Sequence, residues 1–193
     1  MFFEPKIYSN ISSGSVEVIC GSMFSGKTQE LIRRLKRLKV AKKKFIVFKP
    51  AIDIRYDKNK IVSHNKDFVN ATIVNNIAEI KELISDEDVI AIDEAQFFDK
   101  TLISLCNDLA NKGKRIIICG LDMDYLGVPF GVMPSLMAIS DRITKLHAIC
   151  SDCGDTANYS YRKGLDQDRI VIGEKNEYKA LCRVCFTKKK NFE

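Results

Sequence analysis

The sequence predicts an α/β fold, a doubly wound parallel sheet followed by a small cysteine-bearing C-terminal domain. Three observations predict it. Apolar runs that read as buried strands alternate with helical stripes from Ser15 to Ile149. The segment Gly21-Ser-Met-Phe-Ser-Gly-Lys-Thr28 matches G-x-x-x-x-G-K-[ST] in full, directly after the first apolar run. From Cys150 the pattern changes to short strands, turns and paired cysteines, which places a boundary between residues 1–149 and 150–193.

The elements follow in order. Ser15-Val-Glu-Val-Ile-Cys20 reads as a buried strand, and Lys27–Ala41 as a helix whose stripe is Leu31, Ile32, Leu35 and Leu38. Lys44-Phe-Ile-Val-Phe-Lys49 is a second strand, and residues 50–66 read as polar and irregular. Asp67–Val74 alternates toward strand; Ile77, Ile80, Leu83 and Ile84 mark a helix. Asp88-Val-Ile-Ala-Ile-Asp93 is nearly all apolar, as in a central parallel strand covered on both faces. Leu102–Ala110 is helical, Lys114–Gly120 is another buried strand, and a short helix lies near Pro134–Ser140. Ile143–Ile149 closes the set as one strand.

Strand, motif and helix in that order identify a phosphate-binding loop of the P-loop NTPase type, made of Gly21, Ser22, Met23, Phe24, Ser25, Gly26, Lys27 and Thr28. Its backbone N–H groups form a nest for phosphate oxygens at the positive end of the following helix. Lys27 is placed for the β- and γ-phosphates and the Thr28 hydroxyl for Mg²⁺, so the sequence predicts a nucleoside triphosphate as ligand. The buried strand 88–93 ends in Asp93-Glu94, where an acid holds Mg²⁺ and its neighbour can act as general base. Residue chemistry alone leaves kinase and hydrolase equally open.

Cys150-Ser-Asp-Cys153 and Cys182-Arg-Val-Cys185 are two Cys-x-x-Cys knuckles separated by residues 154–181. Together Cys150, Cys153, Cys182 and Cys185 predict a tetrahedral zinc site with no open position, hence a structural one. The separation is longer than usual for this pattern, so a long excursion leaves the metal and returns to it. Cys20, Cys106 and Cys119 read as small buried hydrophobes.

Composition narrows the remaining classes. The 193 residues are 46% hydrophobic and 29% charged, ordinary for a globular protein. No apolar run approaches the roughly 18–20 residues that span a membrane, and Met1-Phe-Phe-Glu-Pro5 does not resemble a signal peptide. The expectation is a soluble, cytoplasmic protein. The net charge of +6 is concentrated in the basic block Arg33–Lys44 and in Lys188–Lys190. With no aromatics interleaved for base stacking, the block reads as a solvated helix face and not a nucleic-acid surface. His64 and His147 have no partner at ligand spacing and read as structural or solvent-facing.

The phosphate loop, Asp93-Glu94-Ala-Gln-Phe-Phe98, Gly120-Leu-Asp122, Pro129-Phe-Gly131, both cysteine pairs and Val171-Ile-Gly173 with Tyr178 together resemble the type II, zinc-containing thymidine kinases over roughly residues 15–187. The resemblance implies that ATP phosphorylates the 5′-hydroxyl of thymidine, with Glu94 as base and Asp93 supporting the metal. It implies Asp53 and Arg55 near the transferred phosphate, and a thymine pocket walled by Met23, Phe97, Leu121 and Tyr125. It further implies a lasso closing over the nucleoside, reading the base through the main chain of Val171, Ile172 and Gly173, with Tyr178 packed against the bound molecule and Ser160 near the 5-methyl. A homotetramer and feedback inhibition by thymidine triphosphate are implied as well. This chain departs from the common pattern at Tyr125, where many members have Phe, at Ser160, often Thr, and at Glu174, frequently Gly. The competing readings are an ATPase with a zinc-ribbon nucleic-acid module and a non-catalytic nucleotide-binding regulator.

Overall fold

The computed structural model describes residues 14–52, 60–62, 68–163 and 177–190. Along the chain run β1 (Ser15–Gly21), α1 (Lys27–Val40), β2 (Phe45–Pro50), β3 (Lys60–Val62), β4 (Phe68–Asn70), β5 (Thr72–Val74), α2 (Ile77–Leu83) and β6 (Val89–Ile92). A 3₁₀ turn (Ala95–Phe97) leads to α3 (Thr101–Asn111), β7 (Arg115–Gly120), α4 (Met133–Ile139) and β8 (Arg142–Leu146). Then come β9 (Ala148–Ile149), β10 (Thr156–Ala157), β11 (Tyr159–Arg162), β12 (Tyr178–Leu181) and α5 (Arg183–Lys190).

The central sheet has the order β5-β2-β6-β7-β1-β8, and every pairing in it is parallel. Its central strands β6 and β7 are apolar on both faces, and helices cover both. Ile77 and Ile80 of α2, Leu102 and Leu105 of α3 and Leu136 of α4 pack on Val18, Ile90, Ile116 and Ile118. On the opposite face Leu31, Ile32, Leu35 and Leu38 of α1, with Ile61 of the β3–β4 hairpin, pack on Ile19, Val47, Ala91 and Ile117. Each fully buried Leu or Ile contributes about 1.5–3 kcal/mol, so both layers are strongly fixed. Because all six strands run parallel, their carboxyl ends lie on one edge, which gathers Gly21, Asp93 and Gly120.

Three readings of the sequence change. Residues 60–62 lie within the stretch read as irregular, yet they form a strand paired antiparallel with Phe68–Asn70 and bury Ile61. The stretch 143–149 is not one strand: β8 joins the main sheet beside β1, whereas β9 pairs antiparallel with β10. No Gly or Pro marks the break, so only tertiary pairing reveals it. Finally, Arg183–Lys190 is helical where only short strands and turns were expected. Cys182 opens that helix: its carbonyl accepts from Phe186 N–H at 2.9 Å and its Sγ from Cys185 N–H at 3.4 Å.

Candidate functional site

The strand-to-helix turn after β1 delivers the phosphate loop. Helix α1 is capped by Gly26, with no side-chain cap, which leaves its first N–H groups aimed at the loop as an anion site. Lys27 is buried and its Nζ donates to the Ser22 carbonyl at 2.8 Å, which folds the ammonium over the loop. The Ser22 and Ser25 hydroxyl oxygens are buried and have no hydrogen-bond partner among the described residues. Leaving such groups unpaired is costly in a finished core, and two of them in one loop fit a site built for phosphate oxygens.

Asp93 directly follows β6, one strand away from β1 across β7. It is buried, its amide donates to the Phe48 carbonyl at 2.9 Å, and its Oδ1 accepts from the Glu94 N–H at 3.0 Å. Burial pushes the Cys119 thiol well above its ordinary value, and the Asp93 carboxylate beside it adds in the same direction, against the opposing charge of Lys27. Asp93 and Lys27 therefore both lie close enough to Cys119 to act on its thiol. Glu94 is held at φ 51, ψ 41, a left-handed conformation costing a non-glycine residue roughly 1–2 kcal/mol. The cost is offset by the bond to Asp93 and by the 3₁₀ turn, in which Phe97 N–H reaches the Glu94 carbonyl.

Around these groups sit the residues expected to wall a base pocket. Phe98 is buried in the core, while Phe97 is half-buried and packs edge-on to Phe130 with centroids 5.7 Å apart. This separates the two phenylalanines into one inward and one more exposed residue. Leu121, Met23 and Tyr125 are half-buried. The Arg162 guanidinium lies 3.7 Å from the centroid of the Tyr125 ring. Ser160 is buried, and its hydroxyl accepts from the Met23 backbone N–H at 2.9 Å. Tyr178 is buried on β12 opposite Arg162. Asp53, Arg55, Val171, Ile172, Gly173, Glu174 and His64 lie outside the described residues.

The four knuckle cysteines converge, with all four Sγ atoms within 4.8 Å of one another. Zn–S bonds of about 2.3 Å in a tetrahedron require sulfur–sulfur edges of about 3.8 Å. The Cys153–Cys182 separation of 3.6 Å is close to that value. Burial opposes ionisation of Cys150, but backbone hydrogen bonds from Cys182, Asp152 and Cys153 draw its thiol down to about 6. The neighbouring Cys153 and Cys182 thiols push Cys185 up to about 12. A cluster that cannot ionise fully by itself suits a dication, so the donor set fits zinc. Around it pack Ala148, Ala157, Tyr159, Leu181 and Phe186, with Phe24 of the phosphate loop against the same cluster.

A family model described as thymidine kinase matches residues 14–186, from the start of β1 to the last knuckle. The chain belongs to the thymidine kinase family. Among its relatives is a thymidine kinase from Porphyromonas gingivalis, 52% identical over 179 residues, covering 93% of this chain and 88% of that one. A thymidine kinase from Bacteroides fragilis is 50% identical over 186 residues, 96% of this chain and 94% of that protein. One from Rhodothermus sp. is 49% identical over 187 residues, 96% of this chain and 88% of that protein.

In this thymidine kinase family member, the basic block of α1 departs from a purely solvated face. Arg34 is mostly buried and bonds Glu17 and Glu30, both at 2.8 Å, and the Thr144 hydroxyl. Glu17, in the middle of the apolar run of β1, also binds Arg115 at 2.9 Å and lies near Arg142. A lone acid in an apolar strand was the available signal. Gln96 and Arg162 also stand at the site, although the sequence reading gave neither a role. No helix among the described residues is long and apolar enough to cross a membrane.

Proposed function

We infer that the chain is an ATP-dependent thymidine kinase, which transfers the γ-phosphate of ATP to the 5′-hydroxyl of thymidine to give thymidine monophosphate. The observation that carries the reading is the convergence of the phosphate loop, Asp93 and Glu94 on one sheet edge, in a chain of the thymidine kinase family. The loop amides and the start of α1 take the phosphate oxygens, and Lys27 exchanges the Ser22 carbonyl for them. Thr28 and Asp93 would hold Mg²⁺, which neutralises charge across the β- and γ-phosphates when bound. Glu94 accepts the proton of the 5′-hydroxyl as its oxygen attacks the γ-phosphorus and ADP leaves. As base it contributes about 10²–10⁴-fold.

Met23, Phe97, Leu121 and Tyr125 wall the thymine pocket, with Ser160 and Tyr178 at its lasso side. Arg55 and Asp53 serve the transferred phosphate, and Val171, Ile172 and Gly173 read the base edge. The four cysteines hold a structural zinc at the root of that lasso, in a C-terminal unit beginning at Cys150. The same reading includes a cytoplasmic homotetramer, inhibited by thymidine triphosphate and supplying nucleotide for DNA synthesis, without nucleic acid as a partner.

The test is a phosphate-transfer assay of zinc-replete protein with ATP and Mg²⁺ and, side by side, thymidine, deoxycytidine, single-stranded RNA or no acceptor. Thymidine monophosphate formed in the thymidine reaction is the expected product. ATP hydrolysis rising with RNA and no nucleotide product would overturn the reading in favour of a nucleic-acid-stimulated ATPase.

A further inference from the structure

We propose that Gln96 is a positioning residue for phosphoryl transfer: its carboxamide holds the Glu94 carboxylate in register with the pocket wall at Leu121. The proposal rests on the reading of Glu94 as base. Gln96 is buried at the carboxyl edge of the sheet, in the 3₁₀ turn that follows Glu94. Its Nε2 donates to Glu94 Oε2 at 2.5 Å, and its Oε1 accepts from the Leu121 backbone N–H at 3.0 Å. The two ends cannot be interchanged. A backbone N–H is only a donor, so it requires the amide oxygen, which leaves the NH₂ group for the carboxylate.

Two motif glycines without an assigned task close on this one side chain. A Cβ on Gly120 would lie 2.7 Å from Gln96 Oε1 and 2.7 Å from Met133 Sδ. A Cβ on Gly131, at φ +52, would lie 2.3 Å from the Gln96 carbonyl oxygen. Gly120-Leu-Asp122 and Pro129-Phe-Gly131 thus share a physical reason, because side chains at either glycine would displace Gln96. The result is a short rigid bridge from the end of β7 to the acid after β6. Glu94 sits on a strained turn and is half-buried, so a fixed donor on its carboxylate limits the rotamers it samples. Misplacing a reacting group by about 1 Å can cost 10²-fold in rate.

The test is a double-mutant cycle on kcat for thymidine phosphorylation by the full chain, with Gln96→Met and Glu94→Gln singly and together. Gln96→Met keeps length and removes both polar ends. Gln96→Glu keeps an acceptor for Leu121 N–H while removing the donor to Glu94, and serves if the Met variant does not fold. The expected result is a roughly 10–100-fold loss of kcat in either Gln96 variant, with KM for ATP within about twofold of the parent. In the Glu94→Gln background the same Gln96 change should cost nothing further, because the group it positions is gone. An equal loss in both backgrounds, or no loss in the parent, overturns the proposal while leaving Glu94 as base. Near-parental turnover in Glu94→Gln alone would instead remove the base reading, and the proposal with it.

Discussion

The Met23 backbone N–H donates to the Ser160 hydroxyl at 2.9 Å, across 137 positions of sequence. One residue belongs to the phosphate loop and the other to β11, whose partner β12 runs directly into Cys182. Phe24 adds a second link by packing against the apolar cluster around the cysteines. The phosphate loop is therefore built on the cysteine-bearing segment as well as on β1 and α1.

Ser160→Ala leaves the half-buried Met23 N–H without its acceptor, a loss of roughly 1–2 kcal/mol. The expected outcome is a weakening of ATP binding by about tenfold or more, with Ser160→Thr close to the parent because it keeps the hydroxyl. Titration of nucleotide binding checks this; unchanged affinity in the Ala variant would mean that the loop holds its shape unaided.

Stripping zinc with a strong chelator, or replacing Cys153 by Ser, releases the root of the β11–β12 hairpin. The melting temperature should fall by roughly 5–10 °C, since structural zinc binding is also folding free energy. ATP affinity should fall with it, and by less in the Ser160→Ala variant, whose link is already cut. Calorimetry and nucleotide titration before and after zinc is restored supply the comparison.

Burial alone would raise the Glu17 carboxyl, but Arg115, Arg34 and Arg142 outweigh it and hold the group below its ordinary value of 4.5. A carboxyl whose folded value is depressed stabilises the fold above the unfolded value, and that contribution is lost as pH falls through the folded one. Glu17→Gln should therefore cost roughly 2–3 kcal/mol at pH 7, less than a wholly buried pair because Arg115 and Arg142 reach solvent. Urea unfolding at pH 7 and at pH 3 is the check. The difference between variant and parent should shrink at the lower pH, and a constant difference would contradict the electrostatic origin.

Much of this was legible before the structure. The strand–loop–helix order around Lys27, the apolar run ending at Asp93 and the two knuckles depend on local pattern and fixed spacing, and these are what a sequence records. The break between Leu146 and Ala148 was not legible, because one stretch without Gly or Pro serves two sheets. The role of Glu17 was hidden for a related reason. Its three arginines come from α1, β7 and β8 and meet only when the sheet assembles. Gln96 stood inside a motif, yet its two partners lie on either side of it in sequence, one two residues before and one at Leu121. The bond from Met23 N–H to the Ser160 hydroxyl was also not legible, because its partners lie 137 positions apart in sequence.

The most direct test of the account is turnover of Glu94→Gln measured beside its affinity for ATP. Glu94 holds its place through Asp93 and Gln96, and the substitution preserves shape while removing the proton acceptor. The account predicts ATP binding within about twofold of the parent and thymidine phosphorylation reduced by about 10²–10⁴-fold. Near-parental phosphorylation of thymidine by that variant would contradict it.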